Sequence, residues 1–190
     1  TPSDTSILQA IQSLKSRGYQ VTLYPFILMD VPSGNSLADP YGGAEQEAFP
    51  WRGRITCYPQ SAENTGAVNG QLNSFFGAAQ SSDFSIENSV PNYSGTDEFS
   101  YRRFILHYAK LCEIAGGVDR FIIGSEMVGL TTIRSARTDY PAVTQLMDAM
   151  ARGVEPQLDL AASDDPLPDA LAVRCPAAPW VLRQSGTAIS

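Results

Sequence analysis

Two carboxylates in this sequence stand where α/β proteins do chemistry. Glu126 follows the apolar run Val118–Gly124 (VDRFIIG), and Asp30 closes the apolar stretch 19–30 (YQVTLYPFILMD). Ligands bind at the carboxyl ends of parallel strands because the loops there vary over a rigid scaffold. Gly124 and Ser125 leave room beside Glu126, which suits a general acid that protonates a leaving oxygen, as in glycoside cleavage. The competing reading for Glu126 is a structural ion pair with Arg52, Arg54, Arg134 or Arg137. Asp30 begins Asp-Val-Pro, so it competes with a turn in which the side chain caps its own backbone. If both runs are parallel strands, Asp30 and Glu126 share one mouth of the sheet. Asp119 sits at the opposite strand end and is expected to serve stability.

Aromatic residues supply the second set of candidates. Tyr41, Phe49, Trp51 and Tyr58 are spread along the loop at 31–65, with Arg52 and Arg54 among them. Such rings can stack on the C–H faces of sugars while the guanidinium groups take hydroxyls or carboxylates. The competing reading is a local mini-core that holds the loop. Cys57, Cys112 and Cys175 have no CxxC spacing and one histidine, His107, for company. No metal site is expected from them, and so few cysteines fit synthesis in a reducing cytoplasm. His107 lies beside a helical apolar stripe and reads as structural. No P-loop, GxGxxG, GxSxG or HExxH motif is present, so no cofactor is expected.

The elements that must position these groups follow from periodicity. The chain has 190 residues, 43% of them apolar, enough for one sizeable core. Helices are predicted at 4–17, where Ser3 and Asp4 precede Ile7, Leu8, Ile11 and Leu14, and at 68–79 through Leu72, Phe75 and Phe76. A third at 101–115 carries Tyr101, Phe104, Ile105, Tyr108, Leu111 and Cys112 on the helical period, and a fourth begins at Pro141. The strands at 19–30 and 118–124 alternate with these helices, which predicts α/β architecture with a parallel sheet. A (β/α)₈ barrel needs about 250 residues and eight strands, so the chain is at most a segment of a barrel, or a smaller open sheet. Residues 153–190, rich in Asp and Pro, read as an irregular tail with a weak apolar patch at 170–173. The net charge of −7 opposes direct nucleic-acid binding, and no run reaches the roughly 18 apolar residues of a membrane span.

Longer motifs carry a resemblance. YPFILMDVPSGN, DPYGG, FPWRGRITCYP, SYRRFILHYAKLCEIAGGVDRFIIGSEMVGLT and the RSA at 134–136 resemble the glycoside-hydrolase-like TIM-barrel domain in the large tail-tip hub protein of gene transfer agents and related siphophages. The resemblance covers about residues 1–152. It implies earlier barrel strands upstream of Thr1, and the sequence leaves the pattern from about Gly153. It also implies a retaining-glycosidase geometry in which Glu126, in IIGSEM, takes the acid/base position, with a second carboxylate on a strand beyond the matched segment. Within this sequence, Asp30, Asp39, Glu45 and Glu47 are the substitutes.

The expected role is therefore a component of a phage-like or gene transfer agent tail hub, located at the virion tail tip and partnered by other hub proteins. Its barrel would bind or cleave bacterial envelope glycan, plausibly peptidoglycan, during DNA delivery. The alternatives are a catalytically inactive receptor-facing module on the same scaffold, or a free cytoplasmic glycoside hydrolase.

Overall fold

The computed structural model describes residues 3–145 and, beyond them, three strands at 158–159, 171–175 and 180–183. In chain order the elements are α1 (Asp4–Ser16), β1 (Thr22–Leu23), α2 (Ala67–Phe76), β2 (Phe84–Glu87), β3 (Val90–Tyr93), α3 (Tyr101–Ile114), β4 (Val118–Gly124), α4 (Val128–Thr131), β5 (Leu158–Asp159), β6 (Leu171–Cys175) and β7 (Trp180–Arg183). Residues 141–145 are also helical, as Pro141 predicts, and the continuation of that helix lies outside the described residues. The described chain divides into two compact units. One holds residues up to 25, 77–125 and the late strands, and the other holds 26–76 and 126–145.

In the first unit, α1 starts where Ser3 Oγ accepts the Ser6 N–H at 3.3 Å, and it buries Leu8 and Ile11. The Asp4 carboxylate meets His107 Nε2 of α3 at 3.1 Å, a structural contact between the two helices. Helix α3 is capped by Ser100 Oγ, which accepts the Arg103 N–H, and it buries Tyr101, Ile105, Leu106, Leu111 and Cys112. The chain reverses through Gly116 and Gly117, both at positive φ, and Lys15 Nζ donates to both of their carbonyls, at 2.5 and 2.7 Å. Strand β4 then buries Val118, Phe121 and Ile123. It pairs in parallel with β1, Thr22 opposite Arg120 and Leu23 opposite Phe121. Asp119 Oδ2 accepts the Val21 N–H at 2.7 Å, so this carboxylate clamps the sheet at the end away from Glu126. Stability is the role its position predicts.

Four expectations change. The strand predicted at 19–30 pairs only at Thr22 and Leu23, because Pro25 has no N–H to donate and the chain leaves the ladder there. Asp30 consequently lies seven residues past the end of β1, outside any strand. The turn-rich passage after α2 contains an antiparallel hairpin, β2 with β3. Its two linking residues, Asn88 and Ser89, both have positive φ, as a two-residue hairpin turn demands.

The tail is the third correction. Within 153–190 the structure describes three strands where none was expected, the apolar patch at 170–173 falls largely on β6, and the rest of the expected irregular tail lies outside the described residues. One ladder partner of β6 is β4, far away in sequence, and short apolar runs among prolines and aspartates do not disclose such a partner. The fourth is strand direction. The sheet order is β1-β4-β6-β7-β5, and β4–β6 and β6–β7 are antiparallel while β1–β4 and β5–β7 are parallel. Among the described residues the sheet is thus mixed and five-stranded.

The turn into the second half of the first unit depends on Gly77. Its φ is +75°, and a Cβ there would lie 2.2 Å from Ser100 Cβ and 2.4 Å from Glu98 Oε1. Glu98 accepts hydrogen bonds from Ala78 N, Ala79 N and Ser100 Oγ. Burial pushes its carboxyl up, but these bonds and Arg102 outweigh that and hold it below its ordinary value. Gly77→Ala is expected to cost more than about 1 kcal/mol, seen as a lower urea midpoint at unchanged slope.

Candidate active site

The second unit carries nearly all the candidate residues. Residues 26–66 form a long loop held by two short 3₁₀ turns, Arg52–Arg54 and Gln60–Ala62. In the first turn the Arg54 N–H returns to Trp51 O at 2.9 Å and the Ile55 N–H to Arg52 O at 3.1 Å. Helix α4 packs on this turn at Gly129. A Cβ on Gly129 would fall 2.6 Å from Gly53 O and 2.7 Å from Ile55 O, so only glycine allows the two backbones so close.

That approach brings Glu126, two residues before α4, to the turn. Glu126 Oε2 accepts the Trp51 Nε1–H at 3.1 Å and forms an ion pair with Arg52 Nη2 at 2.5 Å. Oε1 accepts no hydrogen bond among the described residues, and the side chain is 52% exposed. The Arg52 guanidinium lies over the Phe26 ring, 4.8 Å from its centroid. Glu126 has φ +55°, a left-handed backbone that costs a non-glycine residue about 1–2 kcal/mol. The Arg52 side chain is largely buried, at 13% exposure, so the pair is open to solvent on the Glu126 side alone. Backbone outliers of this kind concentrate at functional positions.

The remaining candidates sort differently. Arg54 pairs with Asp39 at 3.3 Å and Glu47 at 3.6 Å, and it stacks on the Tyr41 ring at 4.3 Å. Tyr41 Oη in turn donates to Arg54 O. Tyr41 and Arg54 are thus tied to each other and to the carboxylates of their own loop. Tyr58 has its backbone N–H and carbonyl both bonded by the Gln71 side chain, at 2.9 and 2.7 Å, while its ring is exposed. Arg134 pairs with Glu63, not Glu126. Of the possible second carboxylates, Asp39 and Glu47 hold Arg54, and Glu45 accepts the Gly34 N–H. Strand-end reasoning no longer places Asp30. Cys57 and Cys112 are both buried.

Residues 99–161 match the GTA TIM-barrel-like domain. The match covers about a third of the chain and includes α3, β4, Glu126 and α4. This segment is thus similar to a TIM-barrel-like domain associated with gene transfer agents, and its α/β character and parallel β1–β4 pair agree with that likeness. No curated protein matches the chain. Among the described residues, no group of three or more His, Cys, Asp or Glu side chains is placed to hold a metal, and no helix is long and apolar enough to cross a membrane.

Residue types alone did not mark Gly53 and Gly129 as site residues. A lone glycine after an aromatic-basic pair, and another three residues after a candidate acid, were the only signals available. Gly129→Ala should push α4 off the turn and break the Trp51–Glu126 bond, read as a shift of the Trp51 Hε1 resonance. A second test concerns pH. The Tyr41 N–H holds the Asp39 carboxyl below its usual range, joined by the Gly43 N–H and Arg54, against the upward push of burial. Its folded value lies below the unfolded one, so its stabilisation is complete above the unfolded value and fades as pH falls through the folded one. Proteolysis of the 38–47 loop should accelerate from about pH 4 downwards, and Asp39→Asn should remove that dependence.

Proposed function

We propose that this chain is part of a tail hub or tip component of a gene-transfer-agent or phage-like particle, where its barrel-like domain binds and cleaves envelope glycan with Glu126 as acid/base. The observation that carries the reading is Glu126 itself: a half-exposed carboxylate on a strained backbone, just past a β-strand, in a segment similar to the GTA TIM-barrel-like domain. Two donors occupy Oε2, so the transferable proton belongs on Oε1, the oxygen open to a ligand. Protonating the leaving oxygen of a glycosidic bond from there is general acid catalysis, and the same oxygen would then activate water. A retaining mechanism needs a second carboxylate about 5–5.5 Å away. Asp39, Glu45 and Glu47 are committed to the loop, which leaves Asp30 of the four substitutes, while the family resemblance puts the partner on a strand beyond the matched segment. Other hub proteins are the partners, at the virion tail tip.

One observation favours a second reading. The Arg52 ion pair suits a carboxylate that only orders the loop, as a receptor-facing module without catalysis would require. Glu126→Gln separates the two, because the amide can still accept from Arg52 and Trp51 but delivers no proton. Peptidoglycan cleavage should fall by about 10²–10⁴ while glycan binding and particle assembly persist. Equal turnover by the variant removes Glu126 from the mechanism.

A further inference from the structure

Trp51 is half exposed, at 51%, yet it is held from two directions. Its Nε1–H is bonded to Glu126 Oε2 at 3.1 Å. A Cβ built on Gly53 would lie 2.3, 2.4 and 2.5 Å from three consecutive atoms of the six-membered ring, Cζ3, Cη2 and Cε3. Near-equal distances to three adjacent ring atoms put Gly53 beneath a face of the indole and not at its edge. With Gly53 against one face, half of the residue's surface remains accessible. An apolar ring so immobilised loses little entropy when a ligand settles on it. Its hydrogen bond to a carboxylate also pushes electron density into the ring, which strengthens attraction to the slightly positive C–H groups of a stacked partner.

We propose that the face of Trp51 opposite Gly53 is a platform for one neutral, β-linked, gluco-configured pyranose ring, registered to Glu126 by the indole N–H. This rests on the glycan reading above and adds to it the subsite and the sugar class. A pyranose with all substituents equatorial offers a face of axial C–H groups alone, which fits a flat indole. The net charge of −7 opposes uronate-rich chains, and the guanidinium beside the ring is already paired with Glu126. Phe26 and Tyr41, the nearest alternatives, lie under the guanidinium groups of Arg52 and Arg54.

The test uses the full 190-residue chain carrying Trp180→Phe, so that Trp51 is its one indole. The probe is a β-1,4-linked N-acetylglucosamine tetramer, with an oligogalacturonate of equal length as the charged control. The tetramer should change Trp51 emission saturably and protect it from acrylamide quenching, and the oligogalacturonate should do neither. Trp51→Ala should weaken tetramer binding roughly tenfold, and Trp51→Phe should keep much of it. Unchanged emission and quenching in the Trp51 protein overturn the platform whether or not the Ala variant folds, as does undiminished binding by Trp51→Ala. Cleavage of the tetramer is followed in parallel. Binding at Trp51 without cleavage supports the platform and counts against catalysis, whereas cleavage with unaltered emission overturns the platform and leaves the acid reading standing.

Discussion

One oxygen atom organises the candidate site. Glu126 Oε2 is shared by donors from two consecutive residues, Trp51 and Arg52. Consecutive side chains converge on one acceptor only if the backbone between them bends, and the 3₁₀ turn at Arg52–Arg54 provides the bend. The acceptor reaches that turn because α4 lies against it at Gly129 and because Glu126 adopts a left-handed conformation. Two of the conditions are individually unfavourable, a strained φ and a glycine in a helical turn. Their concurrence makes sense for a group whose position matters more than its contribution to folding.

The same loop contains a second cation with a different fate. Arg54 is neutralised by Asp39 and Glu47 and covered by Tyr41, so it works as the loop's internal fastener. Two arginines separated by one glycine thus divide their labour. Arg52 faces the exposed acid, and Arg54 keeps the long connection ordered enough for Arg52 to stay there. This division explains how a loop of some forty residues with almost no regular structure can present a defined site.

The first unit is held together by ordinary means. Capping serines at both long helices, a lysine on the carbonyls of Gly116 and Gly117, and the Asp119 clamp on Val21 satisfy backbone groups that burial would otherwise leave costly. Core residues of α3 and β4 follow their periods, 3.6 and 2, with few exceptions.

Much of this was legible in the residues. Local signals determined α1, α3 and β4 to within a residue or so, because caps, glycine stops and apolar periods act over a single turn or strand. They also marked Glu126, Trp51 and Arg52 as residues worth watching. What local signals could not decide was pairing. The length of β1 was set by where β4 offers a ladder and Pro25 withdraws one, and β6 finds its ladder between β4 and β7. Likewise, sequence left four arginines equally eligible to meet Glu126, and the close approach at Gly129 chose Arg52. Contacts between residues 74 or 75 positions apart depend on how backbones pack, and packing is a property of the folded chain alone.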